Sequence, residues 1–123
     1  MIGYVTLGTR DLQRAAAFYD PLLQLLSVGR MMENEQFIAW GKPGGGAGLG
    51  IAYPFNKEPA TVGNGVMVAL ECKSREHVDT LYAKAMSLGA TDEGPPGQRF
   101  EGFYAGYFRD LDGNKLNAFV MGA

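Results

Sequence analysis

The chain has 123 residues, 46% hydrophobic and 20% charged, with a formal net charge of -2 and one cysteine. This composition fits one ordinary domain with a single core, and the lack of a Lys/Arg cluster removes the electrostatic footprint that nucleic acid or an anionic membrane surface requires. The lone Cys72 excludes an internal disulfide and a thiolate metal cluster, which suits a reducing compartment. The first residues show neither a basic start followed by an apolar core nor a small-residue cleavage site, and no apolar run approaches the roughly 20 residues of a spanning helix, so a cytoplasmic protein is expected.

Residues 2 to 8 alternate apolar and β-branched residues and predict a strand. Asp11 then stands where an N-cap accepts from free helical N–H groups, and Leu12, Ala15, Ala16, Tyr19, Leu22, Leu23 and Leu26 recur at helical spacing on one face. Pro21 falls inside that helix and predicts a kink, or a restart with Asp20 as cap. A weaker strand is expected over 27 to 33, a second over 36 to 40, a glycine-rich turn over 42 to 48 and a third strand over 49 to 53. Residues 54 to 64 carry charge, prolines and glycines without an apolar period, and read as a linker.

Past the linker the pattern restarts. Val66 to Cys72 is a strand; Ser74 caps a helix running through Leu88, with Gly89 behind it. Residues 91 to 99 are a poorly determined strand region. Phe103 to Arg109 and Lys115 to Val120 are strands joined by a hairpin whose Asp112-Gly113 pair is its turn signal.

The restart is a repeat. A shift of 63 carries Tyr4-Val5-Thr6-Leu7 onto Met67-Val68-Ala69-Leu70, Asp11 onto Ser74 and Leu25 onto Leu88. A shift of 67 carries Phe37-Ile38-Ala39-Trp40 onto Tyr104-Ala105-Gly106-Tyr107 and Leu49 onto Leu116. A duplicated unit implies pseudo-twofold symmetry, so a central pocket would draw on equivalent positions of both copies.

The opening Tyr4-Val5-Thr6-Leu7 with Asp11-Leu12 and Ala17-Phe18-Tyr19, the second opening Met67 to Glu71, and the late run Phe108 to Leu116 together resemble the vicinal oxygen chelate superfamily. That group holds glyoxalase I, the extradiol dioxygenases, the fosfomycin-resistance thiol transferases and the bleomycin-resistance proteins. The resemblance covers nearly the whole chain. It implies an α+β fold of two tandem βαβββ modules, 1–53 and 65–123, in one domain spanning 1–123. Their mostly antiparallel strands would cup a central cavity, commonly completed by a second chain, so a homodimer is expected.

The same resemblance puts metal ligands near the start of the first strand and the end of the last strand of each module. Here those places are Tyr4, Gly50, Met67 and Asn117. None is His, Asp or Glu, and a divalent ion needs imidazole or carboxylate donors, so no metal and no other cofactor is expected. Several isolated signals read as structure. His77 is a surface residue in a first helical turn, and Cys72 is an inert strand-end thiol. Gly44-Gly45-Gly46 lacks the Lys-Ser/Thr of a phosphate loop, and Asp110, Asp112 and Asn114 make a hairpin better than a calcium loop.

What remains is the lining of the cup. Period-two alternation puts Tyr4, Thr6, Met67, Ala69, Glu71, Lys115 and Asn117 inward and Val5, Leu7, Val68, Leu70, Leu116 and Val120 toward the helices. The resemblance to the fosfomycin-resistance proteins places Tyr107 inward on the seventh strand, and the shift of 67 makes Trp40 its mate. Tyr4, Thr6, Trp40, Met67, Tyr107 and Asn117 are therefore the candidate ligand-binding residues, a mostly apolar set with sparse polar groups. Two functions fit it. One is a metal-free protein that binds a small, partly aromatic organic molecule, similar to the bleomycin-resistance branch. The other is a metal-independent lyase or isomerase with Tyr4 or Tyr107 as proton donor and Glu71 as base, a role for which no catalytic residue can be assigned.

Overall fold

The computed structural model describes residues 1–122. The chain divides into two compact units, Met1–Val62 and the part from Gly63 on. In the first, strand β1 (Tyr4–Gly8) leads into helix α1 (Leu12–Gln24), then β2 (Gly29–Glu33), β3 (Phe37–Gly41) and β4 (Gly48–Ala52). In the second, β5 (Val68–Glu71) leads into α2 (Arg75–Ser87), then β6 (Thr91–Phe100), β7 (Phe103–Arg109) and β8 (Lys115–Met121). Each unit is thus one βαβββ module of an α+β fold. The strand orders are β1-β4-β3-β2 and β5-β8-β7-β6, and in each sheet only the first pair is parallel.

Both helix starts follow the expected chemistry. The Asp11 carboxylate accepts from the Arg14 N–H at 3.0 Å, and the Ser74 hydroxyl accepts from the His77 N–H at 3.1 Å. Helix α1 runs through Pro21 without restarting, because Asp20 is engaged elsewhere and caps nothing. Its chain leaves the helix through Ser27 at φ 59, with the Val28 N–H bonded back to the Leu23 carbonyl at 3.1 Å. The expected linker is not loose: Ala60 is buried, its carbonyl accepts from Arg10 Nε at 2.9 Å, and its Cβ would lie 3.0 Å from a Cβ at Gly8.

Each helix covers one face of its sheet. Under α1 lie Leu7, Ile38, Trp40, Leu49 and Ile51, packed against Ala15, Phe18, Tyr19 and Leu22. Under α2 lie Phe108, Leu116 and Val120, with Val78, Leu81 and Ala85 fully buried on the helix side. The parity expected for β1 holds, with Val5 and Leu7 opposite Leu49 and Ile51.

The parity expected for Trp40 does not hold. In the ladders Trp40 faces Leu49 and Phe108 faces Leu116, so the structural mate of Trp40 is Phe108, not Tyr107. The turn between β3 and β4 is one residue longer than the turn between β7 and β8. A fixed shift of 67 read across that extra residue places every β3 side chain on the wrong face of the sheet. Tyr107 instead corresponds to Ala39, each paired with a position that the resemblance assigns to a metal ligand, Asn117 and Gly50.

The Trp40 indole lies 5.6 Å from the Tyr19 ring and donates its N–H to Asp20 Oδ1 at 2.8 Å. Asp20 also accepts from Arg30 Nε at 3.0 Å and Nη2 at 2.7 Å, and Arg30 Nη1 reaches Glu33 at 2.6 Å. The Arg30 guanidinium, helped by the indole N–H, holds the Asp20 carboxyl below its usual range against a smaller upward effect of burial. A depressed carboxyl pKa contributes stability above its unfolded value that is lost as pH falls through the folded one. Asp20→Asn is therefore expected to lower the melting temperature at neutral pH by a few degrees at most, since the carboxylate is 42% exposed. Thermal unfolding of both forms should show that gap closing below about pH 4.

Candidate functional site

The face of each sheet turned away from its helix carries most of the candidate residues. In the first module Tyr4 and Thr6 stand there, opposite Gly48 and Gly50 in the ladder. Phe37 and Ala39 share the face, and Met31 folds over it with its sulfur where a Cβ at Gly41 would sit. Tyr4, Met31, Phe37 and Ala39, together with Met32 and the glycines of the β3–β4 turn, bound a cleft of about 400 Å³. Tyr4 is 67% exposed and Met31 58%. Glycines at 44 to 46 keep the rim low, and Gly44 at φ 69 needs the conformational freedom glycine has.

Trp40 does not contribute its ring to this cleft. The indole is 1% exposed, sealed between the sheet and α1. Phe37 and Met31, which the sequence reading did not single out, supply the large apolar side chains there. Shifting the assumed parity of β3 by one residue would have found Phe37.

In the second module Tyr107 and Asn117 are direct ladder partners on the helix-free face. Met67 stands just before β5, half exposed, and Ala69 and Glu71 follow on the same face beside Asn117 and Phe119. Phe100 stacks on Phe103 at 4.8 Å, and Phe103 on Phe119 at 5.8 Å. Two cations lie over the Tyr107 ring, Arg99 with its guanidinium carbon 5.3 Å from the centroid and Lys115 with Nζ 5.5 Å away. Arg109, on the same face nearer the turn, pairs with Glu93 at 3.5 Å and donates to the Gly113 carbonyl at 2.8 Å. Asn117 is 1% exposed, and its Oδ1 is buried with no hydrogen-bond partner. An acceptor left that way costs roughly 1 to 3 kcal/mol.

The four positions that the resemblance assigns to metal ligands offer a phenol, no side chain, a thioether and an amide. A Cβ at Gly50 would lie 2.6 Å from Phe37 Cε1, so the Phe37 ring fills the space a ligand side chain would use. Among the described residues no three His, Cys, Asp or Glu side chains are grouped to hold an ion.

The remaining signals are structural. His77 is half-buried rather than exposed, because its Nδ1 accepts from the Lys73 N–H at 3.1 Å across the start of α2. Burial pushes the Cys72 thiol up to about 11, leaving it protonated and unreactive at neutral pH. Asp110 Oδ1 accepts from the N–H groups of Asp112 and Asn114, and Oδ2 from Asn114 Nδ2 at 3.0 Å, so this carboxylate is spent on the hairpin.

Two βαβββ modules with these helix-free faces are matched by one sequence family. The profile of the Glyoxalase/Bleomycin resistance protein/Dioxygenase superfamily fits residues 1–118. The chain belongs to that superfamily. A glyoxalase/bleomycin resistance protein from Albidiferax ferrireducens T118 is 37% identical, with a TM-score of 0.89 and 97% of each chain covered. A putative glyoxalase from Bacillus halodurans is 20% identical, with a TM-score of 0.80, covering 97% of this chain and 94% of that one. A lactoylglutathione lyase from Agrobacterium tumefaciens is 19% identical, with a TM-score of 0.70 and coverage of 97% and 92%. Among curated proteins there is no match. Membership in this superfamily establishes the fold and not a reaction. No helix is long and apolar enough to cross a membrane.

The sealed indole has a direct readout. Acrylamide and iodide should quench Trp40 weakly in the folded protein and strongly once it is unfolded. A ligand on either helix-free face should perturb tyrosine signals, not tryptophan emission; efficient quenching of the folded chain would contradict this packing.

Proposed function

We propose that this superfamily member binds a small, partly aromatic organic molecule on the helix-free faces of its sheets and that it does so without a metal ion. The observation that carries this reading is the lining itself. Large apolar and aromatic side chains surround a few polar groups, and one of those, the Asn117 amide oxygen, is buried with its hydrogen bond unmade. Such a mixture suits a pocket for small organic ligands. The donor set does not fit a divalent ion, because neither Tyr4, Met67 nor Asn117 supplies an imidazole or carboxylate and Phe37 occupies the space beside Gly50. Binding would rest on stacking and burial against Tyr4 and Phe37 with Thr6 beside them on the face of the first module, or against Tyr107 with Asn117 beside it on the face of the second.

Elemental analysis of the purified protein should therefore find far less than one zinc, nickel, manganese or iron per chain, and adding these ions should not raise the melting temperature. Tyr107→Ala should weaken a bound ligand by roughly 1 to 3 kcal/mol through lost stacking and area. Tyr107→Phe separates binding from a lyase or isomerase that uses this hydroxyl. Binding should lose about 1 kcal/mol for one hydrogen bond, whereas turnover that depends on the hydroxyl as acid should fall on the order of a hundredfold or more with the fold intact.

The same faces argue for a homodimer. Met31, Phe100 and Met121 are each more than half exposed on sheet faces or edges, and each sheet has two edge strands to cover. An isologous pair covers both at once. Light scattering at micromolar concentration should give about twice the chain mass of 13.3 kDa. A mass of one chain that holds across dilution would contradict the dimer.

A further inference from the structure

The first module's cleft has a floor of bare backbone. Strands β3 and β4 run through its middle and present Ala39 and Gly48, and Trp40 gives only its main chain because its indole is sealed beneath α1. A Cβ at Gly48 would lie 3.0 Å from the Trp40 carbonyl oxygen and 3.7 Å from Tyr4 Cβ, so this stretch stays free of side chains. The walls rise from the outer strands. The order β1-β4-β3-β2 puts Tyr4 and the methionines on opposite sides, about 14 Å apart at three strand spacings. Strict alternation would send Met31 and Met32 to opposite faces. A bulge prevents that: the register slips between Arg30, which pairs with Trp40, and Met32, which pairs with Ala39, and both methionines line the cleft. Their thioethers are polarisable and adapt to the face of a ring.

The two ends of this trough differ in charge. Phe37 closes one, its ring folded over Gly50. Lys42 stands just past the other end of β3 and is the one lysine, arginine or carboxylate among the residues that line the cleft. Lys42-Pro43-Gly44-Gly45 is a type II turn, closed by the Gly45 N–H on the Lys42 carbonyl at 2.9 Å, with proline at its second position and Gly44 at φ 69 at its third. A Cβ at Gly45 would lie 2.8 Å from Lys42 Cβ, so the missing side chain leaves room for the lysine stem at the lip. Among the described residues Lys42 has neither an ion pair nor a side-chain hydrogen bond.

We propose that this cleft takes a flat aromatic acid, its ring laid on the bare floor between Tyr4 and the two methionines and its anionic group against Lys42. The assignment rests on the binding reading above, chooses the first module's face and names the ligand class. A planar ring reaches the floor between the walls, whereas a globular body of the same charge does not. An amine is disfavoured, because the one charged group it would meet is a cation. Gly45 is a positioning residue for Lys42.

The probes are 2-naphthoate, the uncharged 2-naphthylmethanol, the cationic 2-naphthylmethylamine, and adamantane-1-carboxylate, which keeps the acid without the plane. Each is titrated into the full chain by calorimetry and by NMR of isotope-labelled methionine methyl groups and tyrosine rings. Naphthoate should shift the methyl signals of Met31 and Met32, assigned through Met31→Leu and Met32→Leu. It should bind roughly threefold to tenfold tighter than the alcohol at low salt, an advantage that about 500 mM salt should erode. Lys42→Met should remove that advantage while leaving the alcohol's affinity unchanged, and Gly45→Ala should shrink it. Ala39→Leu fills the floor and should weaken acid and alcohol alike by roughly tenfold or more. Should that variant fail to fold, adamantane-1-carboxylate reads the same floor in the unaltered chain, where it should bind at least about threefold more weakly than naphthoate. Equal affinity for acid, alcohol and amine, or an acid advantage that survives Lys42→Met, would overturn the proposal and leave the binding reading standing. So would naphthoate binding that shifts Tyr107 while Met31 and Met32 stay unmoved. Methyl signals that ignore every compound and respond only to dilution of the protein would mean that a second copy covers the cleft, which also overturns the proposal. If no compound shifts any methionine or tyrosine signal at millimolar concentration, the binding reading fails together with it.

Discussion

A four-stranded sheet has two faces, and in each half of this chain a single helix covers only one of them. The burial pattern follows from that shortage. Ile38, Trp40, Leu49 and Ile51 in the first module, and Phe108, Leu116 and Val120 in the second, close tightly under their helices. The opposite faces keep large apolar groups such as Tyr4, Met31 and Phe100 in contact with solvent. Hydrophobic area left uncovered is a standing free-energy cost of roughly 25 cal/mol per Å², so a partner or ligand that covers it is favoured before any specific contact is made. The polar groups on these faces then decide which partner is accepted.

Much of this was legible from residue order, where a local rule acts alone. Asp11 and Ser74 cap their helices because a short acceptor side chain at that position meets free N–H groups, whatever surrounds it. The alternation that puts Tyr4 and Thr6 on one face and Leu7 on the other needs only the pleat. The turn at Asp110 to Asn114 formed as its Asp-Gly signal implied. Pro21 is a counterexample, since the rest of α1 holds its helical course through the proline.

The misreadings have a shared cause, which is dependence on distant chain. The side of the sheet on which Trp40 falls depends on a turn that comes after it. The placement of Arg99 over the Tyr107 ring depends on β6 crossing two prolines and two glycines with three register shifts, a path no periodicity encodes. That strand tolerates prolines because it lies at the edge of its sheet. The hydrogen bond that His77 accepts from the Lys73 N–H is likewise invisible in a pattern of apolar residues. For the candidate site, Tyr4, Thr6, Tyr107 and Asn117 were found from symmetry and parity, whereas Phe37 and Arg99 required coordinates.

The extra residue in the β3–β4 turn carries an implication for how such a duplicated chain diverges. The ladder pairs on both sides of it, Trp40 with Leu49 and Phe108 with Leu116, are equivalent in the two modules, so the added length is absorbed wholly within the turn. Folding thermodynamics charges little for lengthening a surface loop. One copy is therefore free to remodel the lip of its cleft while its core stays as inherited. Two halves descended from one ancestral unit can in this way acquire unlike recognition surfaces by trimming or extending turns, with no compensating change beneath.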